Sequence, residues 1–106
     1  MGFFDFLLGA NMDNGVAEYK NVQGAVLLDV RTVEEYREGH VKGSINIPLD
    51  SLNKVGSKVP TKDTPIFTYC HSGGRSMQAA SYLERLGYTN VKNIGGIARY
   101  TGALVV

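Results

Sequence analysis

An α/β domain with a parallel sheet covered on both faces is the fold this sequence predicts. Three observations predict it. Short apolar runs alternate with helical patterns along the chain, which implies parallel strands joined by helical crossovers. The strongest runs, Ala25-Val26-Leu27-Leu28-Asp29-Val30 and Pro65-Ile66-Phe67-Thr68-Tyr69, are nearly continuous, as in strands buried on both faces. The chain has 106 residues, 43% of them hydrophobic, which suits one compact domain with its own core.

The elements come in order along the chain. Residues 25–30 read as a buried strand. Thr32 and Glu35 match a capping box and open a helix in which Val33 and Tyr36 share a face. Gly39 ends it. Residues 44–48 form a short strand closed by Pro48. Residues 49–58 make a weak helix, with Asp50 or Ser51 near its start. Residues 65–69 are the next strand. Residues 76–86 carry Ala79, Ala80, Leu83 and Leu86 at helical spacing, with Gly87 as the stop. Residues 91–94 form a last strand, and Gly95-Gly96 opens a short helical segment reaching Gly102. No internal repeat or linker interrupts this order.

Bulk chemistry narrows the function classes. The net charge of +1 gives no argument for nucleic acid or for an acidic partner. The single cysteine rules out an intramolecular disulfide, and His40 and His71 lie too far apart in sequence for a zinc motif. No metal and no cofactor is expected, and a reducing cytoplasm is the simplest setting. Residues 1–12 form an apolar segment ahead of a domain at 13–106. Asp5 interrupts that segment and no Lys or Arg precedes it, unlike a secretory signal. Phe6 stands where a myristoylation motif takes Ser or Thr. The segment is too short for a membrane span. It reads as a short amphipathic piece packing on the domain, with Phe3, Phe4 and Phe6 as an alternative membrane-surface or partner contact.

The chemistry concentrates in Cys70-His71-Ser72-Gly73-Gly74-Arg75-Ser76. It comes after a strand and precedes a helix, and sites in parallel sheets form at the carboxyl ends of strands. Amides at a helix N-terminus lack partners and carry partial positive charge, so a thiol there loses its proton readily. Gly73 and Gly74 permit positive φ and close backbone approach. Successive N–H groups in such a turn converge on an anion. Ser76 is placed to cap the helix after it and to donate a hydroxyl. Arg75 adds a permanent charge with a fork of donors. The competing reading makes the glycines a plain tight turn and Cys70 a buried apolar filler. Cysteine-dependent phosphatases put five residues between cysteine and arginine. Here four residues, His71 to Gly74, intervene. That cradle is too small for a tetrahedral phosphate beside the thiolate and large enough for one more sulfur atom.

The segment Leu28-Asp29-Val30-Arg31-Thr32-Val33-Glu34-Glu35-Tyr36, with Gly39-His40-Val41-Lys42-Gly43-Ser44-Ile45-Asn46-Ile47-Pro48, resembles the signature of the rhodanese domain. The loop from Cys70 to Arg75 resembles that family's six-residue active-site loop. Ala79-Ala80, Leu83, Leu86-Gly87-Tyr88 and Asn93-Ile94-Gly95-Gly96-Ile97 are similar to its tail. The resemblance covers roughly residues 13 to 103. It implies a three-layer α/β/α domain with a five-stranded parallel sheet and the catalytic cysteine after the fourth strand.

It also implies a thiosulfate-type sulfurtransferase. Cys70 takes a sulfane sulfur from a small donor such as thiosulfate, holds it as a persulfide, and passes it to a thiol, cyanide or a protein acceptor. His71, Ser72, Gly73, Gly74, Arg75 and Ser76 form the substrate-binding loop. Arg75 has two open roles: it binds the donor's sulfonate, or it ties the loop to a carboxylate such as Asp29 or Glu35. His71 is loop filler or orients the donor, or it serves as a base beside the thiol. His40 is a structural hydrogen-bonding residue, Asp29 and Arg31 hold structure through ion pairs, and Arg99 and Tyr100 are surface residues. Two other classes stand as alternatives. One is a non-enzymatic rhodanese-like binding module, which the intact cysteine loop opposes. The other is a phosphatase or arsenate reductase of related fold, which the short loop opposes.

Overall fold

The computed structural model describes residues 11–106. Four helical segments and a short turn surround one sheet. Helix α1 is Met12–Asn21, strand β1 is Val26–Asp29, helix α2 is Val33–Glu38 and strand β2 is Ile45–Asn46. A 3-10 helix at Leu49–Ser57 comes next, then strand β3 at Ile66–Cys70, helix α3 at Gly74–Arg85, strand β4 at Val91–Gly96 and a 3-10 turn at Ile97–Arg99. The strands lie in the order β2-β1-β3-β4 and every neighbouring pair is parallel.

Alternation along the strands splits the core into two layers. Leu28, Val30, Ile66 and Cys70 face one side, where Ala79 and Leu83 of α3 and Leu52 and Val55 of the 3-10 helix cover them. Leu27, Phe67, Tyr69 and Ile94 face the other, covered by Met12 and Val16 of α1. The result is a three-layer α/β/α arrangement, with β3 buried along its whole length. A strand paired on both edges and covered on both faces is the stiffest place to carry a side chain at its end.

The structure corrects several expectations. Among the described residues the sheet has four strands, and Cys70 ends the third of them. Near the C-terminus Val105 reaches only a single antiparallel bridge with His40, too little to form another strand. The 49–58 helix is a 3-10 helix whose cap position is Pro48, with no side-chain bond. Helix α3 starts at Gly74, earlier than expected, behind Gly73 at φ 109. Ser76 therefore sits inside the first turn and does not cap the helix. Tyr100 is partly buried against the second core layer, whereas Arg99 is exposed.

Helix α1 is not among the elements the sequence pattern predicts. Its signal is sparse: Met12, Val16 and Tyr19 at helical spacing, capped by Asn11, whose side chain accepts from Asn14 N at 3.2 Å. Residues 1–10, with Phe3, Phe4 and Phe6, lie outside the described residues. Of the expected N-terminal segment, Asn11 and Met12 are described, and Met12 is buried in the core. Among the described residues no helix is long and apolar enough to cross a membrane.

The capping box of α2 forms as expected. Glu35 N donates to Thr32 Oγ1 at 3.1 Å, and Thr32 N donates to Glu35 Oε1 at 3.0 Å. Gly39 closes that helix with its N–H on Tyr36 O.

Gly15 lets α1 settle directly on β4. An added Cβ would stand 2.5 Å from Ile94 Cγ2. Helix propensity alone favours Ala over Gly by about 1 kcal/mol, but overpacking costs about 1–3 kcal/mol. Gly15→Ala is therefore expected to destabilise the fold by about 1 kcal/mol. Gly56→Ala, with nothing within 4 Å of its added Cβ, is expected to be neutral or stabilising. Denaturant titration of the two variants beside the wild type checks both.

Candidate active site

Strand β3 ends at Cys70, and the chain turns through His71, Ser72 and Gly73 into α3. The Cys70 side chain is almost wholly buried, at 1% exposure, among apolar neighbours on the α3 face of the sheet. Gly73 N donates to Cys70 Sγ at 3.0 Å. The Ser76 hydroxyl lies 3.5 Å from the same sulfur, and 3.1 and 3.3 Å from the carbonyls of Gly73 and Gly95. With one proton to give, that hydroxyl donates to one of the three at a time. It can serve a charged sulfur and turn to a carbonyl when the sulfur is neutral.

Burial alone pushes the Cys70 pKa up. The Ser76 hydroxyl and the amides of Ser76, Gly73 and Ser72 outweigh it, and the net shift is below the ordinary thiol value. The arrangement therefore makes this thiol easier to ionise than an ordinary one, in a place closed to water. The apolar-filler reading explains the burial of Cys70 but not the donors turned toward its sulfur.

The loop residues divide by role. The His71 and Ser72 side chains are exposed, and no hydrogen bond joins the His71 ring to Sγ among the described residues. The main chain of His71 is the part that is held: its carbonyl accepts from Ala98 N at 3.0 Å. Of the two loop glycines only Gly73 takes a positive φ. Gly74 starts α3 with ordinary helical backbone and open space around it. Thr68 Oγ1 donates to Ser76 O at 3.1 Å, which ties the cysteine strand to the first turn of α3.

Arg75 meets Glu35. Its two terminal nitrogens donate to the two carboxylate oxygens at 2.7 and 3.1 Å, a fork that fixes direction as well as distance. Glu35 also belongs to the capping box of α2, so one carboxylate joins that helix to the cysteine loop. The Arg75 fork, with Thr32, holds the Glu35 pKa down at about 2. Asp29 does not take part. It is buried and paired with Arg31, whose Nη2 donates to Asp29 Oδ2 at 2.7 Å and to Gly39 O at 2.7 Å. This is the structure-holding pair expected of these residues. His40 lies against the Tyr36 ring at 3.6 Å, with Nδ1 2.8 Å from Tyr36 O, also a structural placement.

Sequence reasoning missed four contributors. Tyr69, next to the cysteine, turns to the opposite face of the sheet. Its hydroxyl accepts from Val41 N and lies within 3.1 Å of Ser44 Oγ, and burial raises its pKa, so it stays neutral and anchors the turn after α2. Gly95 and Gly96 at the end of β4, and Ala98 in the turn after it, touch the loop. A Gly-Gly pair at a strand end was the available signal for the last group. Among the described residues no cluster of His, Cys, Asp and Glu is suited to a metal ion.

A parallel α/β domain whose buried central strand ends in a thiol facing the amides of the next helix belongs to the class of cysteine-loop α/β domains. Within that class the chain belongs to the rhodanese-like domain family, whose model matches residues 12–103. It is 42% identical over 71 residues to the thiosulfate sulfurtransferase PspE of Escherichia coli, covering 66% of this chain and 68% of that protein. It is 34% identical over 76 residues to a sulfurtransferase of Allochromatium vinosum, covering 72% of this chain and 70% of that one. Among solved structures, a rhodanese with anions from E. coli superposes with a TM-score of 0.71 at 38% identity, over 76% of this chain and 96% of that chain.

The Arg75–Glu35 fork has a pH signature. The carboxylate pKa falls from an unfolded value of 4.5 to about 2 on folding. A depressed acid pKa contributes stability that is fully present above the unfolded value and is lost as pH falls through the folded one. Glu35→Gln is expected to lower the midpoint of thermal unfolding by a constant amount above pH 5. The gap between variant and wild type should close as pH falls from about 4.5 toward 2. Melting curves across pH 2–7 check this.

Proposed function

We propose that this protein is a sulfurtransferase that carries sulfur as a persulfide on Cys70. The observation that carries the reading is the buried Cys70 sulfur held by Gly73 N at 3.0 Å, with the Ser76 hydroxyl in reach at 3.5 Å, in a loop only six residues long from cysteine to arginine. A thiolate in that setting is a nucleophile. With only four residues between Cys70 and Arg75, the loop is short for a tetrahedral phosphate beside the thiolate, which favours one additional sulfur.

The reaction runs in two steps. The Cys70 thiolate attacks the outer sulfur of thiosulfate or a similar small donor. A new sulfur–sulfur bond forms, the donor's own bond to that sulfur breaks, and sulfite leaves with the electron pair. The charge now rests on the outer sulfur of the Cys70 persulfide, within the loop whose Ser72, Gly73 and Ser76 amides already serve the Cys70 sulfur. An acceptor thiolate, on a small molecule or a protein, or cyanide in an assay, then attacks that outer sulfur. The bond to Cys70 breaks and the thiolate returns, stabilised again by Gly73 and Ser76.

Within this reading Arg75 anchors the loop. Both of its terminal nitrogens are engaged by Glu35, and the amides of Gly73 and Ser76 on either side of it serve the sulfur. His71, exposed and held through its carbonyl by Ala98 N, orients the donor. A reducing compartment, the cytoplasm, keeps the single thiol free for this work.

Cys70→Ser is expected to abolish thiocyanate formation from thiosulfate and cyanide while leaving the far-ultraviolet circular dichroism unchanged. The wild type is expected to gain the mass of one sulfur atom after thiosulfate and to lose it on adding cyanide. No mass gain and no thiocyanate from the wild type would overturn the proposal.

A further inference from the structure

The end of β4 reaches the cysteine loop by an unusual route. Strands β3 and β4 pair in step as far as Thr68 and Asn93, then the register shifts. Ile94 is passed over, Tyr69 faces Gly95, and Cys70 faces Gly96. Such a bulge bends its strand and re-aims the residues beyond it. Gly95 takes φ 101, which only glycine adopts without strain, and its carbonyl comes within 3.3 Å of the Ser76 hydroxyl.

The bulge puts backbone against backbone. An ideal Cβ on Gly96 would stand 2.5 Å from Ser72 Cα and 2.7 Å from the carbonyl carbon of His71, with His71 O closer still. Two residues on, Ala98 N donates to that same His71 carbonyl at 3.0 Å. The strand end thus meets His71, Ser72 and Ser76, which brackets the Gly73 amide on both sides.

We infer that Gly96 is a positioning residue for Cys70: the bare backbone of Gly95-Gly96, with the Ala98 amide, is the seat that holds the loop down on the sulfur. The inference deepens the proposed function, since the seat sets the geometry that the persulfide needs. Its physical basis is distance. For any side chain at residue 96, a Cβ that would stand 2.5 Å from Ser72 Cα must be moved out to ordinary contact. That is a displacement of roughly 1 Å, of the size that costs on the order of a hundredfold in a catalytic site. The Gly73 N–H bond to sulfur, 3.0 Å long, does not survive such a lift intact. Gly74 and Gly56 have open space around them, so the demand is local to the seat.

The test is the pH profile of Cys70 alkylation by iodoacetamide, measured on wild type, Gly96→Ala and Ala98→Pro, with Gly56→Ala as a matched control. Ala98 is exposed, and its proline variant removes the donor to His71 O without adding bulk at residue 96. If Gly96→Ala does not fold, Ala98→Pro carries the test. Both seat variants are expected to move the profile to higher pH and to slow alkylation at neutral pH, by roughly tenfold for Gly96→Ala. The control is expected to match the wild type. A folded Gly96→Ala or Ala98→Pro with the wild-type profile would overturn the inference. Alkylation needs no sulfur donor. A wild type that never forms a persulfide would therefore sink the proposed function while the alkylation profiles still judged the seat.

Discussion

The site depends on the burial of one sulfur atom. Cys70 lies at the end of a strand hydrogen-bonded on both edges and covered on both faces, so water does not supply donors to it. A charge in such a place survives only where the protein supplies them. The donors available are main-chain amides not already used by a strand or a helix, and those occur in the turn between β3 and α3 and in the first turn of α3. The short loop, its one left-handed glycine and the inward-facing Ser76 hydroxyl are consequences of that need. The same burial that raises the thiol pKa also strengthens each hydrogen bond that lowers it, and the hydrogen bonds win.

The surrounding polar contacts hold the loop in place, and they differ in energetic weight. Arg31 and Asp29 are buried, and the guanidinium also reaches the Gly39 carbonyl. Removing one member of such a pair costs about 3–5 kcal/mol because it strands a charge. Arg75 and Glu35 are each about a third exposed, at 35% and 30%. Exposed pairs contribute only about 0–1 kcal/mol, so this fork matters for where it points the loop more than for how stable the fold is. Among the described residues no buried side-chain polar atom lacks a partner, which is what allows so many polar groups to surround a buried sulfur.

Where local patterns were strong, the fold was legible before any coordinates. The Thr32–Glu35 box closes within four residues, so no distant contact was needed to see it. Residues 25–30 and 65–69 read as buried strands because both faces of each are apolar. Helix α1 escaped because its buried stripe is only Met12, Gly15 and Val16 in an otherwise polar stretch, and a glycine in a helix reads as a break. Ser76 looked like a cap by its residue type. It is turned inward because Gly73 begins the helix earlier and the sulfur and two carbonyls lie within its reach.

Fold class, the order of the elements from β1 onward, family resemblance and the cysteine loop were written in the chain, because each rests on spacing between near neighbours. What the loop rests on and what Arg75 touches were settled only by tertiary packing. Glu35 and Arg75 are 40 residues apart, and Gly96 meets His71 and Ser72 across neighbouring strands. Those meetings exist only once β1, β3 and β4 have taken their places side by side and the bulge at Ile94 has set the register. Residue type offered Arg75 either a substrate or a carboxylate. The packing of α2 beside the loop gave it Glu35.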